Sequence, residues 1–154
     1  KAVTAVRNVT MLTVSGRGMI GVPGIAGRVF TAAARANANV LMFSQSSSEQ
    51  AMCLVVTDES AAAAKLSIEE DLAAEIVRQN VEDVTVRDDS AIVTAVGAGM
   101  RGTPGVAGRV FSAMGAKGIN VLMIAQGSSE CSISFVVSES ELKDAVTTLH
   151  ELAL

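Results

Sequence analysis

The chain has no tryptophan, no tyrosine and only four phenylalanines in its 154 residues. With aromatics at 3%, the platforms on which single-stranded nucleic acid stacks are nearly absent. No lysine or arginine cluster stands out and the net charge is −4, which argues against a phosphate-backbone partner. His150 is the only histidine, so the serines at 46–48 and 128–129 have none in their own stretch to activate them. No histidine, cysteine and carboxylate group has metal-ligand spacing, and no metal or cofactor is expected. No apolar run reaches the roughly 18 residues that span a membrane. Neither a signal nor a transit segment is visible, so a cytoplasmic protein without membrane contact is expected. The only two cysteines, Cys53 and Cys131, fall in apolar, strand-like runs and read as buried, reduced thiols. Hydrophobic residues reach 49% against 18% charged, enough for a real core.

What is present is a repeat. Gly18-Met19-Ile20-Gly21-Val22-Pro23-Gly24-Ile25-Ala26-Gly27-Arg28-Val29-Phe30 returns 81 positions later as Gly99-Met100-Arg101-Gly102-Thr103-Pro104-Gly105-Val106-Ala107-Gly108-Arg109-Val110-Phe111. The same offset matches Asn39-Val40-Leu41-Met42 with Asn120-Val121-Leu122-Met123, and Gln45 and Glu49 with Gln126 and Glu130. Two copies indicate a tandem pair rather than a solenoid.

Each copy predicts the same elements. A short strand over Val3–Val6 ends at Asn8, and a second follows over Thr10–Ser15. A glycine-rich loop leads to Pro23 in the first turn of a helix, with Ile25, Val29, Ala33 and Ala36 on one face and Asn37 as its C-terminal stop. Gly118 stands at the matching stop in the second copy. A hairpin of strands (40–44 and 50–56), a long helix (60–79, with a capping box at Ser67) and a strand (84–87) complete β-α-β-β-α-β before a turn at Asp88-Asp89-Ser90. The second copy runs strand 91–96, helix 105–117, strands 120–125 and 131–137, and helix 139–151, one strand short. The strand at Val3–Val6, unplaced in the first copy, is expected to complete the second sheet. The expected units are therefore 8–88, inserted in 1–7 plus 89–154.

Gly16-x-Gly18-x-x-Gly21 and Gly97-x-Gly99-x-x-Gly102 match a dinucleotide fingerprint only loosely. Pro23 and Pro104 push the helix start beyond the third glycine, and Gln45 and Gln126 stand where an acidic residue is required. A glycine loop feeding a helix N-terminus suits a small anion better, such as an amino-acid carboxylate. Gln45 and Gln126 would then offer amides that donate and accept. Tight turns and capped strand ends account for the same residues equally well. Arg28 and Arg109, one turn into their helices, read as solvent-facing or partner-binding.

The pairing of Gly-Val-Pro-Gly-Ile-Ala-Gly-Arg-Val-Phe with Asn-Val-Leu-Met-Phe-Ser-Gln-Ser-Ser-Ser-Glu resembles the first regulatory ACT domain of aspartate kinases. Its second copy resembles the second such domain. The likeness covers essentially the whole chain and is closest to archaeal-type aspartate kinases and bifunctional aspartokinase–homoserine dehydrogenases. It implies an α+β fold of two ferredoxin-like βαββαβ units, antiparallel sheets with helices on one face, the first unit inserted in the second. The family's ATP- and aspartate-binding kinase domain is not in this sequence, so the chain is expected to phosphorylate nothing by itself.

The resemblance further implies feedback regulation by an end-product amino acid, threonine or lysine, in a homodimer joined through ACT units and coupled to a kinase domain. Carried over, the effector positions are Val22, Pro23, Gly24, Ile25 and Ala26 with Phe43 and Gln45. The second set is Thr103, Pro104, Gly105, Val106 and Ala107 with Ile124 and Gln126. Lysine requires a carboxylate for its ε-ammonium, and the two helix starts carry none, which favours threonine. Glu49 and Glu130 stand close by in sequence. Two other classes remain: an assembly module with vestigial sites, and a nucleotide-binding domain.

Overall fold

In the computed structural model, which describes residues 2–152, two long strands replace four expected short ones. Strand β1 runs Ala2–Ser15 and passes through Asn8, which takes the left-handed conformation (φ 56°) without ending the strand. An asparagine tolerates that conformation better than most residues. Strand β4 runs Thr85–Val96 and absorbs the Asp88-Asp89-Ser90 segment, expected as a turn. Ladder pairing outweighs local propensity here, since Ser90 is held opposite Ser138 of the strand beyond it.

The other elements are α1 (Ile25–Arg35), β2 (Met42–Gln45), β3 (Ala51–Thr57), α2 (Asp58–Asp71), α3 (Ala73–Val77), α4 (Val106–Ala116), β5 (Met123–Gln126), β6 (Ser132–Ser138) and α5 (Leu142–Glu151), with 3-10 turns at Arg17–Met19, Ala98–Met100 and Glu139–Glu141. The chain divides into a central unit, Val9–Asp88, and a split unit made, among the described residues, of 2–8 and 89–152. Lys1, Ala153 and Leu154 fall within the expected boundaries but outside the described residues.

Each unit has the same order. The central unit reads β2-β3-β1-β4, and the split unit β5-β6-β4-β1. Pairing is antiparallel between β1 and β3, β2 and β3, β4 and β6, and β5 and β6. Alternate strand residues face the helices. Leu12, Val14, Met52, Leu54 and Val56 meet Ile25, Val29, Ala33, Ala64 and Ile68 in the central unit. Val93, Ala95, Ile133, Phe135 and Val137 meet Val106, Val110, Met114, Ala145 and Leu149 in the split one. This is an antiparallel α+β architecture with helices on one face of each sheet.

Helix termini differ from expectation at one end only. Gly24 (φ 88°) and Gly105 (φ 81°) are left-handed N-caps, so α1 and α4 begin at Ile25 and Val106 and both prolines lie in the preceding turns rather than in a first helical turn. A residue with a Cβ would be strained there. At the other end Asn37 (φ 55°) and Gly118 (φ 70°) stop the two helices as expected. Ala38 N–H donates to the Ala33 carbonyl and Ile119 N–H to that of Met114, the bonds of a Schellman cap.

The long helix breaks at Leu72 rather than at Ser67, whose hydroxyl donates instead to the Ala32 carbonyl at 2.7 Å. The two thiols are free but half-buried rather than buried. Among the described residues no helix is long and apolar enough to cross a membrane.

Candidate functional site

Each glycine loop closes over a cavity within its own unit. In the central unit the cavity is about 320 Å³ and is lined by Val22, Pro23, Gly24, Ile25, Ala26 and Gln45, together with Met19, Gly21 and Glu49. In the split unit it is about 520 Å³, lined by Thr103, Gly105, Val106, Ala107 and Gln126, with Met100, Gly127, Ser128 and Glu130. Eleven of the fourteen residues singled out in the sequence thus converge on two cavities. Phe43 instead meets the Phe30 ring edge-on, centroids 4.8 Å apart, against the central core. Ile124 is exposed on β5, and Pro104 does not line the cavity.

The floor of each cavity is apolar: Met19 and Ile25 in one, Met100 and Val106 in the other, all nearly fully buried. The back wall is a helix start. Neither α1 nor α4 has a side-chain cap or an acidic residue in its first turn, whereas α2 carries Asp58 and Glu59 there. The orphan N–H groups and positive ends of α1 and α4 are therefore left for an anion at the cavity. Gln45 and Gln126 end β2 and β5 at the rim.

Glu49 and Glu130 belong to the cavities although the expected site residues did not include them. The Gly21 N–H donates to Glu49 Oε2 at 2.8 Å, and the Gly102 N–H to Glu130 Oε2 at 2.7 Å. Both glutamates are left-handed (φ 57° and 58°), as are both glycines (φ 68° and 67°). Left-handed glutamate is uncommon, and its recurrence at matching positions shows a repeated device that ties the hairpin turn to the glycine loop. Thr103, which replaces Val22, donates its hydroxyl to the Gly99 carbonyl at 2.7 Å. An amino acid fits the resulting set: N–H donors for a carboxylate, a glutamate face for an ammonium, an amide for a side-chain group.

Behind the central cavity lies an ion-pair network. Arg28 Nε donates to Asp71 Oδ2 at 2.9 Å, its Nη1 to Glu75 Oε1 and its Nη2 to the Asp71 carbonyl, while Arg35 Nη2 donates to Asp71 Oδ1 at 2.6 Å. Arg35 and then Arg28 hold the Asp71 carboxyl below its ordinary range; Arg28 and a backbone donor do the same for Glu75. Depressed carboxylates stabilise above their unfolded pKa, near 4, and that contribution is lost as pH falls through the lower folded values. The difference in urea midpoint between the parent chain and Arg28→Ala is therefore expected to be constant from pH 7 to about 5 and to shrink in acid to the share of the Asp71 carbonyl bond, which does not titrate. A difference that does not change with pH would place the effect outside these carboxylates.

Comparison with known proteins matches the family described as the ACT domain to residues 12–72 and 93–152. The chain is 40% identical over 151 residues to the bifunctional aspartokinase/homoserine dehydrogenase of Haemophilus influenzae, covering 98% of the chain and 18% of that protein. It spans less than a fifth of the curated relatives it matches first. Among solved structures it superposes on the regulatory subunit of aspartate kinase from Thermus thermophilus in its ligand-free form, with a TM-score of 0.79, 28% identity and coverage of 98% and 96%. It also superposes on E. coli aspartokinase III in complex with lysine and aspartate (TM-score 0.76, 26% identity, 97% and 32% covered).

Proposed function

Since the chain belongs to the ACT-domain family, as a regulatory region of the aspartate-kinase type, we propose that it is an amino-acid sensor for feedback control of aspartate-family biosynthesis. The observation that carries this reading is the duplicated cavity, with an uncapped helix start, a rim glutamine and a pinned glutamate in the same arrangement twice. The helix start takes the effector carboxylate. Gln45 or Gln126 takes a side-chain hydroxyl, which favours threonine. Glu49 and Glu130, taken by the effector's α-ammonium, are the one carboxylate in each lining, which leaves none for the ε-ammonium of lysine, the second choice.

Effector occupancy would act on a kinase domain of the parent protein by favouring one arrangement of paired ACT units. Its leverage is limited to its differential affinity for the two arrangements. A second copy of the chain is the proposed partner. β2 and β5 stand at the ends of the strand order, next to exposed Leu41 and bearing exposed Ile124, and an unpaired edge can extend into a neighbour's sheet. Were assembly the whole function, mass would depend on concentration and ignore every amino acid.

Calorimetric titration decides. Threonine is expected to bind the parent chain, with Gln45→Ala and Gln126→Ala each weakening one class of site about tenfold, the value of one hydrogen bond. Unchanged heats in both single variants and in the double variant would remove the glutamines from the site. Binding of lysine but not threonine would reverse the effector assignment.

A further inference from the structure

We propose that Arg28 is a positioning residue for the central cavity: it locks the start of α1 to the α2–α3 corner, setting the cavity wall before any ligand arrives. For its consequence on affinity this rests on the sensor reading above; the bracing itself does not.

The contacts form a closed circuit within the central unit. Ile25 and Ala26 line the cavity, and Arg28 follows on the same helix. Its guanidinium reaches the Asp71 carboxylate and carbonyl and both oxygens of Glu75. The Glu75 carbonyl in turn accepts the N–H groups of Asn80 (2.9 Å) and Val81 (3.3 Å), closing α3 with Gln79 left-handed (φ 60°). The Asn80 carbonyl accepts the Gly18 N–H at 2.9 Å, and Glu82 N–H donates to the Ser15 carbonyl at 2.8 Å. From Gly18 the loop returns to Gly21, Gly24 and α1. Both ends of the cavity-lining segment therefore meet one corner, the α1 end through Arg28 and the Gly18 end through backbone hydrogen bonds.

An isolated surface pair would hold little. Here a rigid fork places its donors on two carboxylates and a helix-end carbonyl, and those carboxylates are only 18% and 21% exposed. Lysine, a single point charge, cannot reproduce that geometry. In the split unit the position matching Asp71 is Leu152, so the carboxylate that Arg28 meets has no counterpart there. A wall ordered in advance removes an ordering cost from binding.

The test is hydrogen exchange on the unliganded full chain, comparing the parent with Arg28→Ala and Arg28→Lys. Amides 20–27 are expected to exchange about tenfold faster in Arg28→Ala, through local opening. Arg28→Lys should be intermediate, while ladder amides of β1 and β3 and the matching loop 101–108 rise by no more than the loss of global stability seen in urea. Unchanged rates at 20–27, or an equal rise across β1 and β3, would overturn the proposal. With Gln126→Ala weakening the split-unit site so that the central site is read as the tighter class, threonine affinity of that class should fall about tenfold on adding Arg28→Ala, as a preset wall is lost. Unchanged affinity would overturn its functional half. A parent chain that binds no amino acid would end the sensor reading, whereas the exchange comparison still decides the clamp.

Discussion

Replacing Gly18 by alanine is expected to destabilise the chain by about 3 kcal/mol, the upper range for forcing a methyl into a packed site. The same replacement at Gly99 should change stability by no more than about 0.5 kcal/mol. The two glycines are equivalent in sequence, yet a Cβ on Gly18 would lie 2.3 Å from the Asn80 Cβ and 2.5 Å from its Cα, whereas around Gly99 there is open space. Neither glycine is left-handed, so backbone strain does not enter. The difference is packing alone: in the central unit the segment after α3 lies directly on the loop. Gly16 is equally confined, with Asn80 O at 2.3 Å from its ideal Cβ. Urea unfolding of both alanine variants measures the contrast. Equal losses would mean that the loop, not Asn80, demands glycine at this position. A large loss at Gly18 alone would also explain the first copy of the partial dinucleotide fingerprint, because close backbone approach is what Gly16 and Gly18 meet there.

The repeat makes the architecture legible in the sequence itself. An offset of 81 residues aligns strand with strand, helix stop with helix stop (Asn37 with Gly118) and rim amide with rim amide (Gln45 with Gln126). The continuity of β1 and β4 was hidden because Asn8 and Asp88-Asp89-Ser90 are local break signals, and only pairing across the sheet overrides them. Glu49 and Glu130 were visible as a repeated pair, but their role depends on a left-handed backbone that glutamate rarely adopts, so no propensity announces it. Arg28 reads as solvent-facing or partner-binding because its partners lie more than 40 residues away, beside a helix break at Leu72 that carries no proline or glycine. Local chemistry was readable; contacts distant in sequence were not.

Truncating Phe135 to alanine is expected to cost about 3–5 kcal/mol, the range for a fully buried aromatic. Its counterpart across the repeat is Leu54, and that difference is compensated on the neighbouring strand. Phe43 lies opposite Leu54 in the β2–β3 ladder, and Ile124 opposite Phe135 in the β5–β6 ladder. Each unit thus places one phenylalanine and one aliphatic residue across the pair, in opposite order, and each phenylalanine packs edge-on against the helix phenylalanine, Phe30 or Phe111. Leu54→Phe alone, with Phe43 still in place, should overpack the central core by about 1–3 kcal/mol. Adding Phe43→Ile, which converts the central pair to the split-unit pattern, should bring the total cost below about 1.5 kcal/mol, as volume-conserving exchanges do. A double variant that costs the sum of its two singles would show that the two positions are not coupled. The same variant separates packing from binding: because Phe43 faces the core and not the cavity, threonine affinity at the central site is expected to stay within a factor of three or so while stability moves. A large loss of affinity with stability intact would return Phe43 to the effector site.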